Sequence, residues 1–594
     1  MTNILSISFL VTVAEAAKSP DENVRNQVPP DLRESRTLIL CPPSLIDNWW
    51  EEFLMWTPDP MIENIGELRK VTSSLKLAER VYEIFEWAKE GGVLLIGYST
   101  FRDLIANRPR VGRKDKTILQ LDDDDDEHQR ATPLREDEHR EVLQALLQLP
   151  NIIVADEAHA IKNHASILTS TMNRFRSKSR IALTGSPLAN KLEEYYSIIE
   201  WIAPGYLGDR VEFRAKYIEP IEEGLWADSG AYEKRKSLKM LHALKRDLEP
   251  KIHRADVSIL KERLRGKTEF VITVPLTKLQ EDAYKIYVDF MLGASRHGEP
   301  ANATLWAWLS ILRLLCNHPK CFHDKLVENR ATAQKDKSAS KTKKKRQHGL
   351  GDSGIASDEE SVLLDEPVEK LGIPKTMIDK ELALLAIVTG SLGASVLANK
   401  IQILEQIMNY AEEAGDKTLI FSHSILTLNY IEKLLRESSR RYSRLDGQTK
   451  ISTRQQLTKD FNTGKLMICL ISTRAGGQGL NLYGANRVVI VDDHFNPMHE
   501  EQAIGRAYRI GQQKHVYVYR LTVGGTFEVA LQNQSLFKQQ LAKRVVDKKN
   551  PMRHALKGVR QFLFYPKDVE QKDISGFFGK DPYVLDRILA SQEG

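Results

Sequence analysis

Residues 152–159 read Ile152-Ile153-Val154-Ala155-Asp156-Glu157-Ala158-His159, and this stretch decides the fold. Three β-branched residues followed by two carboxylates predict a short, fully buried parallel strand that ends in acids. In open α/β folds, nucleotides bind at the carboxyl ends of such strands. Asp156 would then reach a Mg²⁺ ion, and Glu157 would orient or deprotonate an attacking water. Taken alone, the stretch is equally compatible with a strand that ends in a solvated acidic turn.

Length and composition narrow the class of protein. A chain of 594 residues is too long for one hydrophobic core, so two to four domains are expected. The net charge of +5 permits nucleic-acid binding without arguing for it. Four scattered cysteines indicate reduced, intracellular usage rather than a disulfide framework. The segment Cys316–His323 has metal-capable residues but no second pair nearby, so no zinc site is predicted.

The amino-terminal apolar run, Ile4–Ala14, has two readings. Ala14-Glu15-Ala16 mimics a signal-peptidase site, but Met1-Thr2-Asn3 carries no Lys or Arg. We therefore expect the first helix of a domain rather than a signal peptide. No run of 18 apolar residues occurs, and no membrane span is predicted.

Strands and helices alternate over the first 200 residues, which predicts a parallel doubly wound sheet. Its strands are expected at Thr37–Pro43, Gly92–Tyr98, Ile152–Val154 and Arg180–Pro187. The six acids from Asp122 to Glu127 lie in a polar stretch that we interpret as a solvated loop.

The middle of the chain is mostly helical and charged, with a brief strand at Phe270–Leu276. Residues 331–366 are poor in hydrophobic residues and are expected to be disordered. They include the basic cluster Lys341–Arg346, which suits a nuclear-import signal, a nucleic-acid patch or a solvated linker.

A second alternating region predicts another doubly wound domain. Its strands are expected at Lys417–Ser422, Tyr442–Gly447, Leu466–Ser472, Arg487–Val491 and His515–Leu521. The loop after the third of these contains Gly476, Gly477 and Gly479, which let backbone N–H groups approach an anion closely. Downstream, Arg506 and Arg509 are spaced to share one helix face, where two guanidiniums would suit a polyphosphate. The alternatives are that the glycine-rich loop is only a flexible turn and that the two arginines are only surface residues.

The motifs occur in an order that resembles the SWI/SNF-type helicase-like ATPases, which are superfamily-two translocases on double-stranded DNA. The matching segments are Asp156–His159, Leu183–Pro187, Leu312–Pro319, Phe421–His423, Arg444–Gly447, Ser472–Leu482 and Gln502–Gln512. The resemblance implies an α/β chain with two tandem RecA-like doubly wound parallel sheets and helical insertions between them. It also implies ATP and Mg²⁺ as cofactors, double-stranded DNA, nucleosomes or DNA-bound proteins as partners, and a nuclear location, with roles in chromatin remodelling and DNA repair.

The resemblance also implies roles for individual residues. Asp156 would bind Mg²⁺, Glu157 would act on the hydrolytic water, and Thr184 and Gly185 would couple the nucleotide site to DNA. The residues expected to contact ATP in a cleft between the lobes are Asp156, His159, Gly477, Gly479, Gln502, Arg506 and Arg509. The residues expected to touch DNA phosphates are Pro42, Ser99, Thr100, Ser422 and Thr473.

One departure from the family pattern affects catalysis. The sequence contains no Gly-x-x-x-x-Gly-Lys-Ser/Thr loop, and the segment Ile4–Leu10 resembles the helix that should follow such a loop. We therefore expect a truncated lobe and little ATP hydrolysis by this chain. A DNA-binding pseudo-ATPase scaffold is the alternative, and an RNA-processing Asp-Glu-Ala-His helicase is a more distant one.

The domain limits predicted from these patterns divide the chain into five parts. They are a truncated first lobe (1–205), a helical insertion (206–325), a disordered charged insertion (326–390), a second lobe (391–550) and a tail without readable chemistry (551–594).

Overall fold

Among the residues that the structure describes, eleven parallel strands form two sheets, and each sheet lies in its own compact unit, residues 1–221 and residues 222–594. The computed structural model describes residues 2–57, 64–107, 133–161, 166–185, 192–225, 229–254, 264–296, 302–336, 373–449, 451–464, 466–473, 481–493, 498–546, 562–569 and 574–593. The acidic run 122–127 and the basic cluster 341–346 lie outside these residues.

The first sheet has the order β2-β3-β1-β4-β5. Its strands are β1 (Arg36–Cys41), β2 (Leu68–Val71), β3 (Gly92–Gly97), β4 (Ile152–Ala155) and β5 (Ser179–Ala182). All neighbours pair in parallel, so every carboxyl end lies at the same edge. β1, β3 and β4 are almost wholly buried, as their continuous apolar runs require in a sheet covered on both faces.

The second sheet has the order β6-β11-β10-β7-β9-β8. Its strands are β6 (Lys267–Val274), β7 (Thr418–Ser422), β8 (Tyr442–Leu445), β9 (Ile468–Ser472), β10 (Arg487–Ile490) and β11 (Val516–Val523). Again all neighbours pair in parallel. The expectation of two doubly wound parallel sheets is therefore confirmed.

Helices cover the sheets and fill the connections. In chain order they are α1 (Thr2–Ala17), α2 (Glu22–Gln27), α3 (Ile46–Trp56), α4 (Leu77–Glu90), α5 (Tyr98–Ile105), α6 (Glu136–Gln148), α7 (Ile167–Met172), α8 (Leu192–Ile202), α9 (Arg210–Phe213), α10 (Glu219–Glu223), α11 (Ala231–Leu248), α12 (Lys278–Arg296), α13 (Asn302–Asn317), α14 (Pro319–Asp336), α15 (Lys375–Leu385), α16 (Asn399–Glu413), α17 (Ile425–Glu437), α18 (Ile451–Thr463), α19 (Met498–Ala507), α20 (Phe527–Val546) and α21 (Leu585–Glu593).

The amino-terminal apolar run is a helix with one buried face. Ile7, Leu10, Val11 and Ala14 of α1 are buried at helical spacing, whereas Phe9 is exposed. The buried residues join the core cluster that contains Trp49 and Val154. The segment thus belongs to the domain that supports β4.

Three features differ from the expectations. The edge strand β2 was not predicted, because Leu68-Arg69-Lys70-Val71 is half exposed and lacks an apolar run. Strand β6 falls inside the stretch 206–325, yet it pairs with β11 along its whole length. The tail carries Leu585 and Ile588 into the core of the second unit. The five domain limits themselves stay a prediction.

Candidate functional site

Several of the candidate site residues predicted from the sequence lie at the carboxyl edge of the first sheet. Pro42 follows β1, Ser99 and Thr100 open α5 directly after β3, and Thr184 and Gly185 follow β5. The loops after β1 and β3 pack closely, because a Cβ added at Gly97 would lie 3.1 Å from Cγ of Pro43. Asp156 and Glu157 follow the strand β4, which lies between β1 and β5. We call Asp156, Glu157 and His159 the acidic edge.

Asp156 is buried and held by neutral donors. The indole Nε1 of Trp49 donates to its Oδ2 at 2.8 Å, and the backbone N–H of Glu157 donates to its Oδ1 at 2.9 Å. Its own backbone is fixed to β1 and to α5, since its N–H donates to Leu40 O and its carbonyl accepts from the Tyr98 hydroxyl, each at 2.8 Å. The carboxylate is thus pre-oriented by α3 and by the turn after β4.

Glu157 adopts a left-handed backbone conformation with φ of 50°. A non-glycine residue in this region costs ~1–2 kcal/mol, and such outliers concentrate at functional sites. The turn lets Ala158 N–H donate to Leu183 O at 2.8 Å, which ties the acidic edge to the loop after β5. Oε2 of Glu157 lies 3.2 Å from Nδ1 of His159. The strained turn therefore brings the carboxylate and the imidazole together.

Burial raises the pKa of Asp156 to about 6, and the adjacent charge of Glu157 adds to the rise. The hydrogen bonds from Trp49 and from the Glu157 N–H, together with His159, oppose it. The charged carboxylate thus lacks a permanent cationic partner strong enough to offset its burial. A divalent cation would supply that charge.

The acidic edge fits Mg²⁺ by the chemistry of its donors. Mg²⁺ binds through one or two carboxylates and completes its shell with water and substrate phosphates. Each oxygen of Asp156 accepts one hydrogen bond and keeps lone pairs for a further ligand. Among the described residues, no group of three or more His, Cys, Asp or Glu side chains is placed to hold a metal ion by itself. Phosphates and water would have to supply the remaining ligands.

The carboxyl edge of the second sheet carries hydroxyl groups instead. Ser422 ends β7 and Thr473 directly follows β9, its neighbour in the sheet. The Thr473 hydroxyl lies 3.3 Å from Nδ1 of His423 and donates to Ser422 O at 3.3 Å. We call Ser422, His423 and Thr473 the hydroxyl edge. Gly477 and Gly479 of the following loop lie outside the described residues.

A buried polar network supports the hydroxyl edge. Asp492, just after β10, accepts from the Ser422 hydroxyl at 2.8 Å, from His423 N–H at 2.7 Å and from Nδ2 of Asn317 at 2.9 Å. Nζ of Lys400 donates to Oδ1 of Asn317 at 3.1 Å and to both carboxylate oxygens of Glu528, at 3.0 and 2.9 Å. The network joins α13, α16 and α20 to the loop that Ser422 and His423 begin.

Helix α19 carries Gln502 and Arg506 and is anchored by a buried arginine of the sheet. Arg520 of β11 pairs with Glu500 on the first turn of α19 and lies 3.9 Å from Asp493. Nε2 of Gln502 is buried and has no hydrogen-bond partner among the described residues. A buried amide donor in that state is suited to an acceptor that the protein itself does not provide.

The expectation that Arg506 and Arg509 share one helix face is wrong. Helix α19 ends at Ala507, so Arg509 lies in the turn beyond it. The cause is the segment Gly511-Gln512. Gly511 has φ of 100°, and Nε2 of Gln512 donates to the carbonyl of Ala507 at 3.3 Å, which ends the helix. Arg509 instead donates to Asn481 Oδ1, beside the glycine-rich loop.

Sequence reasoning missed several residues that hold the site. Trp49, Asp492 and Arg520 act through contacts with residues distant in the chain, and no local pattern marks them. The tail residue Asp581 is also buried and pairs with Arg487 at 2.8 Å. The Cys-Asn-His-Pro motif could have indicated Asn317, although its pattern does not reveal its partners.

Two parallel sheets that present acids at one carboxyl edge, and hydroxyls and arginines near another, define a helicase-like ATPase with tandem RecA-like folds. The chain matches the SNF2-related domain over residues 2–321 and the helicase conserved C-terminal domain over residues 399–511. The chain therefore belongs to the SWI/SNF-type family of ATP-hydrolysing, helicase-like proteins.

Its curated relatives are larger proteins. Protein CHROMATIN REMODELING 20 of Arabidopsis thaliana is 32% identical over 91% of this chain and 36% of its own length. Helicase ARIP4 of Xenopus tropicalis is 30% identical, over 86% of this chain and 40% of its own length. Transcriptional regulator ATRX of Homo sapiens is 31% identical, over 88% of this chain and 23% of its own. The chain thus spans less than half of each of these relatives.

A solved SWI2/SNF2 ATPase core of Sulfolobus solfataricus, in complex with double-stranded DNA, aligns over 92% of this chain and 93% of its own. The identity is 20% and the TM-score 0.31, values that do not bear on function. In the part of the chain that the structure describes, no helix is long and apolar enough to cross a membrane.

Proposed function

We propose that this chain is the motor region of an ATP-dependent double-stranded DNA translocase that remodels chromatin in the nucleus. The observation that carries the proposal is that one sheet has an acidic edge and the other, in the same chain, has a hydroxyl edge. In the first, a buried carboxylate is pre-oriented without a cationic partner. In the second, the loops that follow β7 and β9 are held in place by buried hydroxyl groups and a buried polar network.

In the proposed reaction, Asp156 would hold Mg²⁺, and the ion would supply positive charge to neutralise phosphate. Glu157 orients the attacking water and accepts its proton, and His159 fixes the position of the Glu157 carboxylate. Gln502, Arg506 and Arg509 bind ATP phosphates, where guanidinium groups stabilise the charge of the transferred group. Gly477 and Gly479 are proposed to approach the phosphates through their backbone N–H groups.

DNA is proposed to bind through its phosphates. Pro42, Ser99 and Thr100 on the first sheet and Ser422 and Thr473 on the second lie at carboxyl edges, where loops can follow a backbone. Thr184 and Gly185 are proposed to couple the nucleotide site to these contacts, because the preceding residue, Leu183, accepts the Ala158 N–H of the acidic turn. Contacts of this kind give affinity with little sequence preference.

We further propose that residues 1–594 by themselves hydrolyse ATP slowly, because the sequence contains no phosphate loop. The competing function is a DNA-binding scaffold without catalysis. The retained acidic edge favours an enzyme, since a scaffold has no use for the strained Glu157 turn and the buried Asp156. The relatives' names include a chromatin remodeller and a transcriptional regulator, and both support a nuclear location and nucleosomes as partners.

The first test is DNA binding by residues 1–594, measured by fluorescence anisotropy with two unrelated duplexes of equal length at several salt concentrations. We expect equal affinities for the two duplexes and a linear fall of the logarithm of affinity with that of salt concentration. An RNA duplex of the same length is the control and should bind more weakly. A strong preference for one sequence, or for RNA, would refute the proposal.

A further inference from the structure

Two adjacent aromatic side chains near the carboxyl end are exposed. Phe577 is 44% and Phe578 is 40% exposed, although both are large and apolar. They lie at the end of a short 3₁₀ turn, Ser575–Phe577. Neither residue has a role in the proposed translocase reaction. Two exposed aromatic rings side by side are suited to a contact with another molecule.

The turn gathers three apolar residues. The N–H of Phe577 donates to the carbonyl of Ile574 at 3.0 Å, as a 3₁₀ turn requires. With three residues per turn, side chains at positions i and i+3 lie on the same side. Ile574 and Phe577 therefore share a side, and Phe578 follows at once. Together they form a small apolar plug, which we define as Ile574, Phe577 and Phe578.

The residues after the plug fix it to the second sheet. Asp581 is fully buried, and its carboxylate binds Arg487 at 2.8 Å and accepts from the Tyr519 hydroxyl. The N–H of Gly579 donates to Asp586 Oδ2 at 2.8 Å, and Gly579 has φ of 81°. A peptide held in one conformation loses less entropy on binding than a free one. The plug is thus presented on a rigid base.

We propose that the plug binds a ring-shaped sliding clamp, the class of protein that encircles duplex DNA and takes peptides in an apolar pocket on its surface. Such a pocket suits an aliphatic residue and two adjacent aromatic rings on one 3₁₀ turn, with a glutamine three residues before the aliphatic one. The sequence has that spacing, Gln571-Lys572-Asp573-Ile574-Ser575-Gly576-Phe577-Phe578. Residues 571–573 lie outside the described residues, and the proposal rests on the plug.

The charge beside the plug agrees with this partner. Nζ of Lys580 lies 5.0 Å from the centroid of the Phe577 ring, so a cation borders the aromatic pair. A pocket with an acidic or polar rim would accommodate it, whereas a second copy of the same plug would place like charges together. Clamp binding requires no ATP hydrolysis, and the proposal therefore stands independently of the proposed function.

The test uses residues 1–594 and a purified eukaryotic sliding clamp, with binding followed by biolayer interferometry. The double variant Phe577→Ala/Phe578→Ala should bind at least ~30-fold more weakly, because aromatic residues at the centre of an interface dominate its affinity. Tyr583→Ala is the matched control, since Tyr583 is exposed, aromatic and close in sequence. It should bind as the parent does.

Equal binding by the parent and the double variant, or no binding by the parent, would overturn the proposal. Thermal unfolding should be the same in all three proteins, because the altered side chains are exposed. Sedimentation of residues 1–594 alone tests whether the plug instead binds a second copy of the chain. Self-association that the double variant abolishes, without clamp binding by the parent, would assign the plug to a second copy and also overturn the proposal.

Discussion

The acidic edge and the hydroxyl edge lie at corresponding ends of two parallel sheets, yet they balance their buried charges differently. Asp156 is held by the neutral donors of Trp49 and Glu157, and its pKa is raised to about 6. Behind the hydroxyl edge, the buried carboxylate of Glu528 has a full cationic partner in Lys400. The first arrangement leaves a charge for a ligand to neutralise. The second completes its charge balance within the protein, where the buried hydroxyls of Ser422 and Thr473 are also hydrogen-bonded.

The largest expected effect on stability comes from removing Lys400, the cationic partner of the buried Glu528. Lys400→Met should lower the free energy of unfolding of the second unit by ~3–5 kcal/mol, because it leaves Glu528 buried without its cation. Denaturant unfolding measures the change. The control Lys433→Met removes an exposed lysine paired with Glu437 and should cost less than ~0.5 kcal/mol. A cost below ~1 kcal/mol for Lys400→Met would contradict the network.

The second unit also buries a carboxyl group, Glu381, that stays protonated because no cation balances it among the described residues. Burial raises the pKa of Glu381, on α15, from 4.5 to about 9, and neither carboxyl oxygen has a hydrogen-bond partner among the described residues. The folded state therefore holds a proton that the unfolded state releases above pH 4.5. This stability is fully present below pH 4.5 and is lost as pH rises towards 9.

The expected loss between those limits is ~1.4 kcal/mol per pH unit. Glu381→Gln should flatten that slope in denaturant unfolding measured from pH 5 to pH 9. Asp379→Asn, which changes an exposed carboxylate on the same helix, should leave the slope unchanged. An unaltered slope in Glu381→Gln would show that another group is responsible.

The next prediction concerns Trp49, whose indole N–H donates to Asp156 of the acidic edge. Trp49→Phe keeps an aromatic ring but removes the Nε1–H donor and leaves a small cavity, so it should cost at least ~2 kcal/mol of unfolding free energy. The cost should be smaller at pH 5 than at pH 8, because the lost donor stabilises the charged form of Asp156. Trp50→Phe, which alters a partly buried ring beneath Lys70, is the control and should cost less than Trp49→Phe, with no difference between the two pH values. Equal costs at both pH values would argue against this role.

The smallest expected effect concerns the hydroxyl edge. Thr473→Val should weaken duplex DNA binding ~5-fold, because it removes the hydrogen bond by which the buried Thr473 hydroxyl holds the carbonyl of Ser422. The salt dependence should not change, since no cation is removed. Thr463→Val alters an exposed hydroxyl that bonds only within α18 and should bind as the parent does. A changed salt slope in Thr473→Val would mean that the substitution disturbs more than one contact.

The sequence predicted the parts that local patterns encode. The continuous apolar runs of β1, β3, β4, β7 and β9 indicated buried parallel strands, and the acids after β4 indicated the edge on which they lie. Strand β2 escaped prediction because an edge strand needs no apolar run. Arg509 was misplaced because helical spacing does not reveal where the Gln512 side chain ends the helix.

The sequence could not predict contacts between residues distant in the chain, because local patterns do not record them. Trp49 and Asp156 lie 107 residues apart in the chain, and Lys400 and Glu528 lie 128 apart. The tail is fixed by a buried ion pair, Asp581 with Arg487, and by Leu585 and Ile588 on the short helix α21, which is too short to give a strong periodic signal. Such pairs depend on the folded arrangement, and neither partner has a local signal.

The most direct test of the central claim compares phosphate release, stimulated by duplex DNA, from two proteins and their Glu157→Gln variants. One protein is residues 1–594, and the other is the same chain preceded by the phosphate-loop segment of a relative. We predict that the loop-bearing protein exceeds its Glu157→Gln variant by ~100-fold or more, and that residues 1–594 stay close to theirs. Equal turnover by the loop-bearing protein and its Glu157→Gln variant, or robust Glu157-dependent turnover by residues 1–594, would contradict the account.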